Sequence, residues 1–160
     1  MKVNLVQNLL FAFVAVAVVG SSSPALARGF SGNCSGTYLM DEAGGATSLW
    51  TVAADGTFFA TSSLQPLINF SDQQGSWEKE GSDGLRGVLL ALVFDGNGDL
   101  LNVSRVDITL ATVGAGCDDI AGSLEVREFT GDEDPLDPST DTGDPIAEDT
   151  FTGRLVKPAG

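Results

Sequence analysis

Carboxylates, aromatic rings and one pair of cysteines carry the chemistry available to this 160-residue chain, which contains no histidine. Without an imidazole, Ser-His-Asp and Cys-His catalysis and histidine metal sites are excluded. Two ionisable groups stand where strand alternation turns them inward. Glu128 shares a parity with Leu124 and Val126, and Lys79 shares a face with Trp77. An acid or lysine withdrawn from water has a shifted pKa and suits the general acid or base of a cyclase or isomerase, whereas one near a strand end more often stands at the rim and stays wet. The rings of Tyr38, Trp50, Phe59, Trp77 and Phe94 are spread over separate segments and are the candidate pocket residues. Rings that point into a barrel either fill it or line an apolar pocket, and a sequence does not separate the two. Trp50, on the same face as Val52, and Phe59, two residues from Thr61, are the first choices for inward positions.

Metal and cofactor chemistry has less support. Asp95-Gly96-Asn97-Gly98-Asp99 opens like a calcium loop, but Leu100 stands where the loop needs glycine and Val106 where it needs glutamate,. The segment reads as a hairpin turn. Residues 131–149 hold a run of carboxylates, three prolines and no basic residue. Like charges repel and proline breaks a strand, so this run reads as an extended, solvated loop. Asp132, Asp134, Asp137 and Asp141 within it are the only candidates for a weak calcium site. Neither a phosphate-binding nor a dinucleotide glycine motif is present, and no cofactor is implied,. The formal charge of −14, from 22 acidic and 8 basic residues, repels phosphate backbones and anionic lipid surfaces, so a nucleic-acid partner is excluded,.

The elements that must position these groups begin after a targeting segment. Lys2, an apolar run from Leu9 to Val19 and the ending Ala25-Leu26-Ala27 have the layout of a secretory signal peptide cleaved after Ala27,. The run is too short to span a bilayer, which takes about 20 apolar residues. The sequence therefore predicts a signal peptide over 1–27 and one secreted or periplasmic domain over 28–160, with no membrane association after cleavage. In an oxidising compartment Cys34 and Cys117 are expected to form one disulfide,. Loop-closure entropy for that separation gives an upper figure of about 4–5 kcal/mol.

From Ser35 onward, Gly, Asp, Asn and Ser clusters cut the chain into short β-branched and aromatic runs, the pattern of an all-β sandwich or barrel,. Eight strands are predicted: 35–41, 46–54, 57–63, 75–81, 85–94, 100–113, 120–130 and 148–157, with no helix. Asp55-Gly56 and the glycines after Asp95 mark the clearest hairpins,. Most strands alternate apolar and polar, but Leu85 to Phe94 is apolar on both faces, as expected of a strand covered by a loop or by the second subunit of a homodimer,. Closing eight antiparallel strands into an up-and-down barrel removes every exposed edge and is the preferred architecture over a two-sheet sandwich.

Gly75-Ser76-Trp77-Glu78, the apolar strand ending Val93-Phe94-Asp95 with its glycine turn, Val103 to Val106, Asp119 to Gly122 and Thr150-Phe151-Thr152-Gly153-Arg154 follow one another over roughly Trp50 to Val156. In this order they resemble a group of small exported bacterial β-proteins. That group is similar to calycin barrels, the architecture of lipocalins and allene oxide cyclase, and most of its members have no assigned activity. The resemblance implies a calycin-like barrel more firmly than it implies a function. The leading expectation is an exported barrel that binds a small apolar molecule in its interior. The alternatives are a cyclase or isomerase of the allene oxide cyclase kind, dependent on Glu128, and a filled barrel acting as a protein-interaction module.

Overall fold

The computed structural model describes residues 34–131, 133–140 and 143–159. The signal peptide predicted over 1–27 lies outside them. Eight strands form a closed antiparallel barrel in sequence order: β1 Gly36–Glu42, β2 Thr47–Val52, β3 Thr57–Ser62, β4 Gln73–Glu80, β5 Gly84–Phe94, β6 Leu100–Thr112, β7 Asp119–Phe129 and β8 Ala147–Leu155. β8 returns to pair with β1, Met40 opposite Gly153, so no edge strand is left among the described residues. The all-β, up-and-down eight-stranded architecture is thus the one the turn spacing predicts. Among the described residues no helix is long and apolar enough to cross a membrane.

Inward positions follow the two-residue strand period. Tyr38 and Met40 on β1, Trp50 and Val52 on β2, Phe58 on β3, Leu85 and Leu89 on β5, and Ile108 and Leu110 on β6 are buried in one core cluster. Glycine occupies inward positions where a side chain would strike the backbone of the neighbouring strand or a core ring. A Cβ on Gly122 would stand 2.1 Å from the Thr109 carbonyl oxygen, and one on Gly75 1.9 Å from that of Val88. One on Gly87 would meet the Phe58 ring at 2.8 Å. Such kinks let strongly coiled strands close a small barrel.

The two ends of the barrel differ. At one end the β2–β3, β4–β5 and β6–β7 turns gather with Cys34 at the start of β1. The predicted disulfide is present there, Cys34 to Cys117, with 5.1 Å between Cα atoms. At the other end lie the β1–β2 and β5–β6 turns and the two long connections, 63–72 and 130–146. The first long connection contains a single helical turn, α1 Gln65–Ile68, where the sequence predicts none. Pro66 sits in its first turn, where a missing N–H is tolerated, and Asn69 ends it at φ 48° in the left-handed region,. One turn is too short for its apolar period to be visible in a sequence.

The described residues of the second long connection, 130–131, 133–140 and 143–146, are held down rather than fully extended. They include a short 3-10 turn, Pro138–Thr140, and lie over the outer face of β6 and β7. Arg105 and Arg127 are register partners on that face. Arg105 donates two hydrogen bonds to Asp107, each 2.8 Å, and a third, from Nη1, to the Pro135 carbonyl at 2.8 Å. Arg127 donates to Glu125 at 2.5 Å and to the Gly143 carbonyl at 3.0 Å. Two backbone carbonyls of the acidic run thus contact the arginines of the barrel wall, and each guanidinium also meets a carboxylate of its own strand. On β5, Leu85, Leu89 and Ala91 face the core; outside, Val88 and Leu90 are half-buried and Leu92 is exposed.

Candidate ligand site

The cavity of interest follows from the difference between the two ends. In the disulfide half, Tyr38, Phe58, Met40, Leu85 and Ile120 fill the interior. In the other half the inward side chains on β6 are smaller, Ser104 above Val106, and Ser48 is the first inward residue of β2. The space left is a cavity of about 330 Å³. That is the low end of the range for small-molecule sites, roughly 300–1,000 Å³. Trp50, Val106 and Leu124 form its floor, and Val93 and Val126 its walls. Its rim is built by the two long connections, with Leu64, Ile68 and Phe70 from the first and Ile146 from the second. Ile68 is 60% exposed and Ile146 59%, so large apolar side chains stand in water around an opening that is itself largely apolar.

Trp50 anchors the floor. It is 2% exposed and makes edge contacts to Phe58 and Phe151, with ring centroids 5.5 Å and 4.6 Å away. Such edge-to-face pairs fix an aromatic ring beyond its area burial. Two acids reach the opening from the ends of their strands. Glu42 on β1 accepts a hydrogen bond of 2.5 Å from the Ser48 hydroxyl, and Glu128 on β7 accepts one of 3.0 Å from the Asn102 amide. Among the described residues no Lys or Arg lines the cavity.

Of the five predicted pocket rings, the structure brings Trp50 alone to the cavity. Tyr38 is inward but belongs to the filled half, where its hydroxyl donates to the Cys34 and Cys117 carbonyls at 2.9 and 3.0 Å. Burial, with a smaller contribution from the nearby Asp118 charge, pushes its pKa up to about 12. Trp77 is half-buried at the same end and donates from Nε1 to the Ala53 carbonyl at 2.8 Å. Phe59 corrects an expectation: it points outward and is 44% exposed, because Phe58 takes the inward position opposite Val52. Phe94 also lies outside, beside Phe70 and the Asp95 turn, after a register shift between Val93 and Phe94.

Glu128 has the predicted inward parity but stands at the rim, exposed to water, rather than sequestered. Lys79 shares the parity of Trp77 yet is exposed at the opposite end of the barrel from Glu128. The two do not form a site together. The Asp95 segment is a hairpin turn: the Asp95 carboxylate accepts from the backbone N–H of Asn97 and of Asp99, which holds its pKa below the usual range. Asp132 and Asp141 lie outside the described residues. Asp134 and Asp137 cap local turns, accepting from Leu136 N–H and Ser139 N–H. Among the described residues no three carboxylate or cysteine side chains are grouped to hold a metal ion.

No protein family, characterised protein or solved structure compared with the chain matches it. The site must be read from its own residues. Those the sequence did not single out, Ser48, Leu64, Ile68, Phe70 and Ile146, come from connections or strand ends, where alternation stops. The run Leu64, Leu67, Ile68, Phe70 was the available signal, since a solvated turn has little reason to carry four large apolar side chains.

Proposed function

We propose that this protein is an exported, calycin-like barrel that binds a small apolar molecule in the cavity at its open end. The observation that carries this reading is the apolar hollow over Trp50, Val106 and Leu124, ringed by exposed Leu64, Ile68 and Ile146. Exposed apolar side chains gathered around a concave site mark ligand or partner binding far more often than they occur by chance. Export accords with the leader-like first 27 residues and with the disulfide, which persists in oxidising compartments,. The up-and-down closure is the architecture that the calycin resemblance implies.

Native mass spectrometry of the protein purified after expression of the full chain, with analysis of its organic extract, tests the reading. A co-purifying apolar molecule, absent from a variant whose cavity is filled by Ser104→Phe, supports it. An empty protein that takes up no apolar fluorophore overturns it. The rival enzyme reading is favoured by one fact, that Glu128 lines the cavity. It requires Glu128→Gln to abolish turnover of a compound that the protein still binds.

A further inference from the structure

We propose that the cavity selects amphiphiles with a cationic, hydrogen-bond-donating head, an alkylammonium group being the simplest, over those with a carboxylate head. The proposal rests on the cavity being a ligand site and adds the class of ligand. It starts from the balance of polar groups at the opening. Glu42 and Glu128 both line it, on β1 and β7, the two strands that flank β8. One oxygen of each is engaged by the protein, by Ser48 and by Asn102. Their other oxygens receive no hydrogen bond from any described residue.

Asn102, itself outside the lining, holds Glu128 in place. Its Nδ2 donates to Glu128, which fixes the amide orientation, because the flipped amide would set an oxygen against the carboxylate,. Its Oδ1 is then buried without a partner, the only such side-chain atom among the described residues. A buried unpaired acceptor is costly, but this one lies outside the lining of the cavity,. The opening thus carries two carboxylates and, among the described residues, no Lys or Arg within the lining to receive an anion. Arg105 and Arg127, on β6 and β7, face outward and are engaged by Asp107, Glu125 and the loop carbonyls. The formal charge of −14 adds a field of the same sign, drawing cations and repelling carboxylates,.

The tail and head of such a molecule match the depth of the site. An alkyl chain can lie against Trp50, Val106 and Leu124, with its ammonium at the rim where Glu42 and Glu128 stand. A head left at a wet rim avoids the heavy cost of burying a charge.

Decylammonium, decanol and decanoate share one tail and differ in head, and isothermal titration of the full-length protein product with each tests the proposal. The expected order is ammonium, then alcohol, then carboxylate, with the first and last differing by about tenfold or more, as for a charge-assisted hydrogen bond. Glu42→Gln and Glu128→Gln, each of unchanged shape, are expected to weaken the ammonium several-fold and leave the alcohol unaffected. Raising the salt concentration should act in the same direction on the wild-type protein, which keeps the test independent of how the variants fold. Decanol or decanoate binding as tightly as the ammonium overturns the charge preference and leaves the cavity reading intact. Binding of none of the three overturns both.

Discussion

The filled and open ends of the barrel are built from the same eight strands with the same alternation, yet they have different work. At the filled end Tyr38 ties the Cys34 and Cys117 carbonyls together over a packed interior, and the disulfide joins the start of β1 to the β6–β7 turn. At the open end the inward positions shrink to Ser48, Ser62 and Ser104, and apolar side chains move to the rim. Stability is thereby concentrated away from the cavity. A barrel can leave half of its interior available to a ligand when the other half and a covalent link hold the ends of the chain together.

Breaking the filled end should give the largest effects and spare the site. Replacing Cys34 and Cys117 together by serine is expected to lower unfolding free energy by about 4 kcal/mol, and certainly no more than the 4–5 of the entropy argument, measured by urea denaturation. Ligand affinity should be nearly unchanged. Tyr38 supplies a pH signature for the same end. Its neutral form is favoured in the fold, so its contribution is complete below pH 10 and is lost as pH rises from 10 to about 12,. The loss should amount to about 2 kcal/mol and be absent in Tyr38→Phe.

The barrel wall comes next. Gly122→Ala sets a Cβ against the Thr109 carbonyl, which cannot give way as a flexible side chain would, and should cost about 1–3 kcal/mol,. Its thermal midpoint should fall accordingly. Smaller still in stability, but larger in binding, is the effect expected at the open end from Arg127→Ala. Loss of the hydrogen bond to Gly143 should cost about 1 kcal/mol and make residues 130–146 more sensitive to protease,. Since Ile146 belongs to the rim, ligand affinity should weaken at the same time. Were Arg127→Ala to leave both unchanged while the cysteine variant altered binding, the division of labour between the ends would be wrong. The smallest effect is expected from Phe59→Ser on the outer surface, within about 0.5 kcal/mol by thermal unfolding.

Phe58 and Phe59 show how far the strand period carries a reading. Alternation requires that one of the two faces inward, but not which. The β2–β3 register decides it, since Val52 is inward and Phe58 is its direct partner. The Ala53-to-Thr57 turn that sets this register is short, with Gly56 at φ 91°, so a strict count across the turn from Val52 reaches Phe58. At Val93–Phe94 no such count works, because a register shift intervenes. Glu128 has the inward parity at a strand end, where a wet position at the rim is the commoner outcome, and it is exposed there; parity gives the side of a wall and not the depth in the barrel.

The sequence by itself determined what depends on neighbours along the chain: eight strands with their turns, the missing imidazole, the acidic charge and the cysteine pair. Closure of β1 on β8, the packed and hollow halves, and the meeting of Glu42, Trp50, Ile68, Glu128 and Ile146 at one opening were decided by tertiary structure. The reason is geometric. A strand reports its own inward face every second residue, whereas a cavity is the volume that several distant strands and two long connections fail to fill, and that difference exists only once they are assembled.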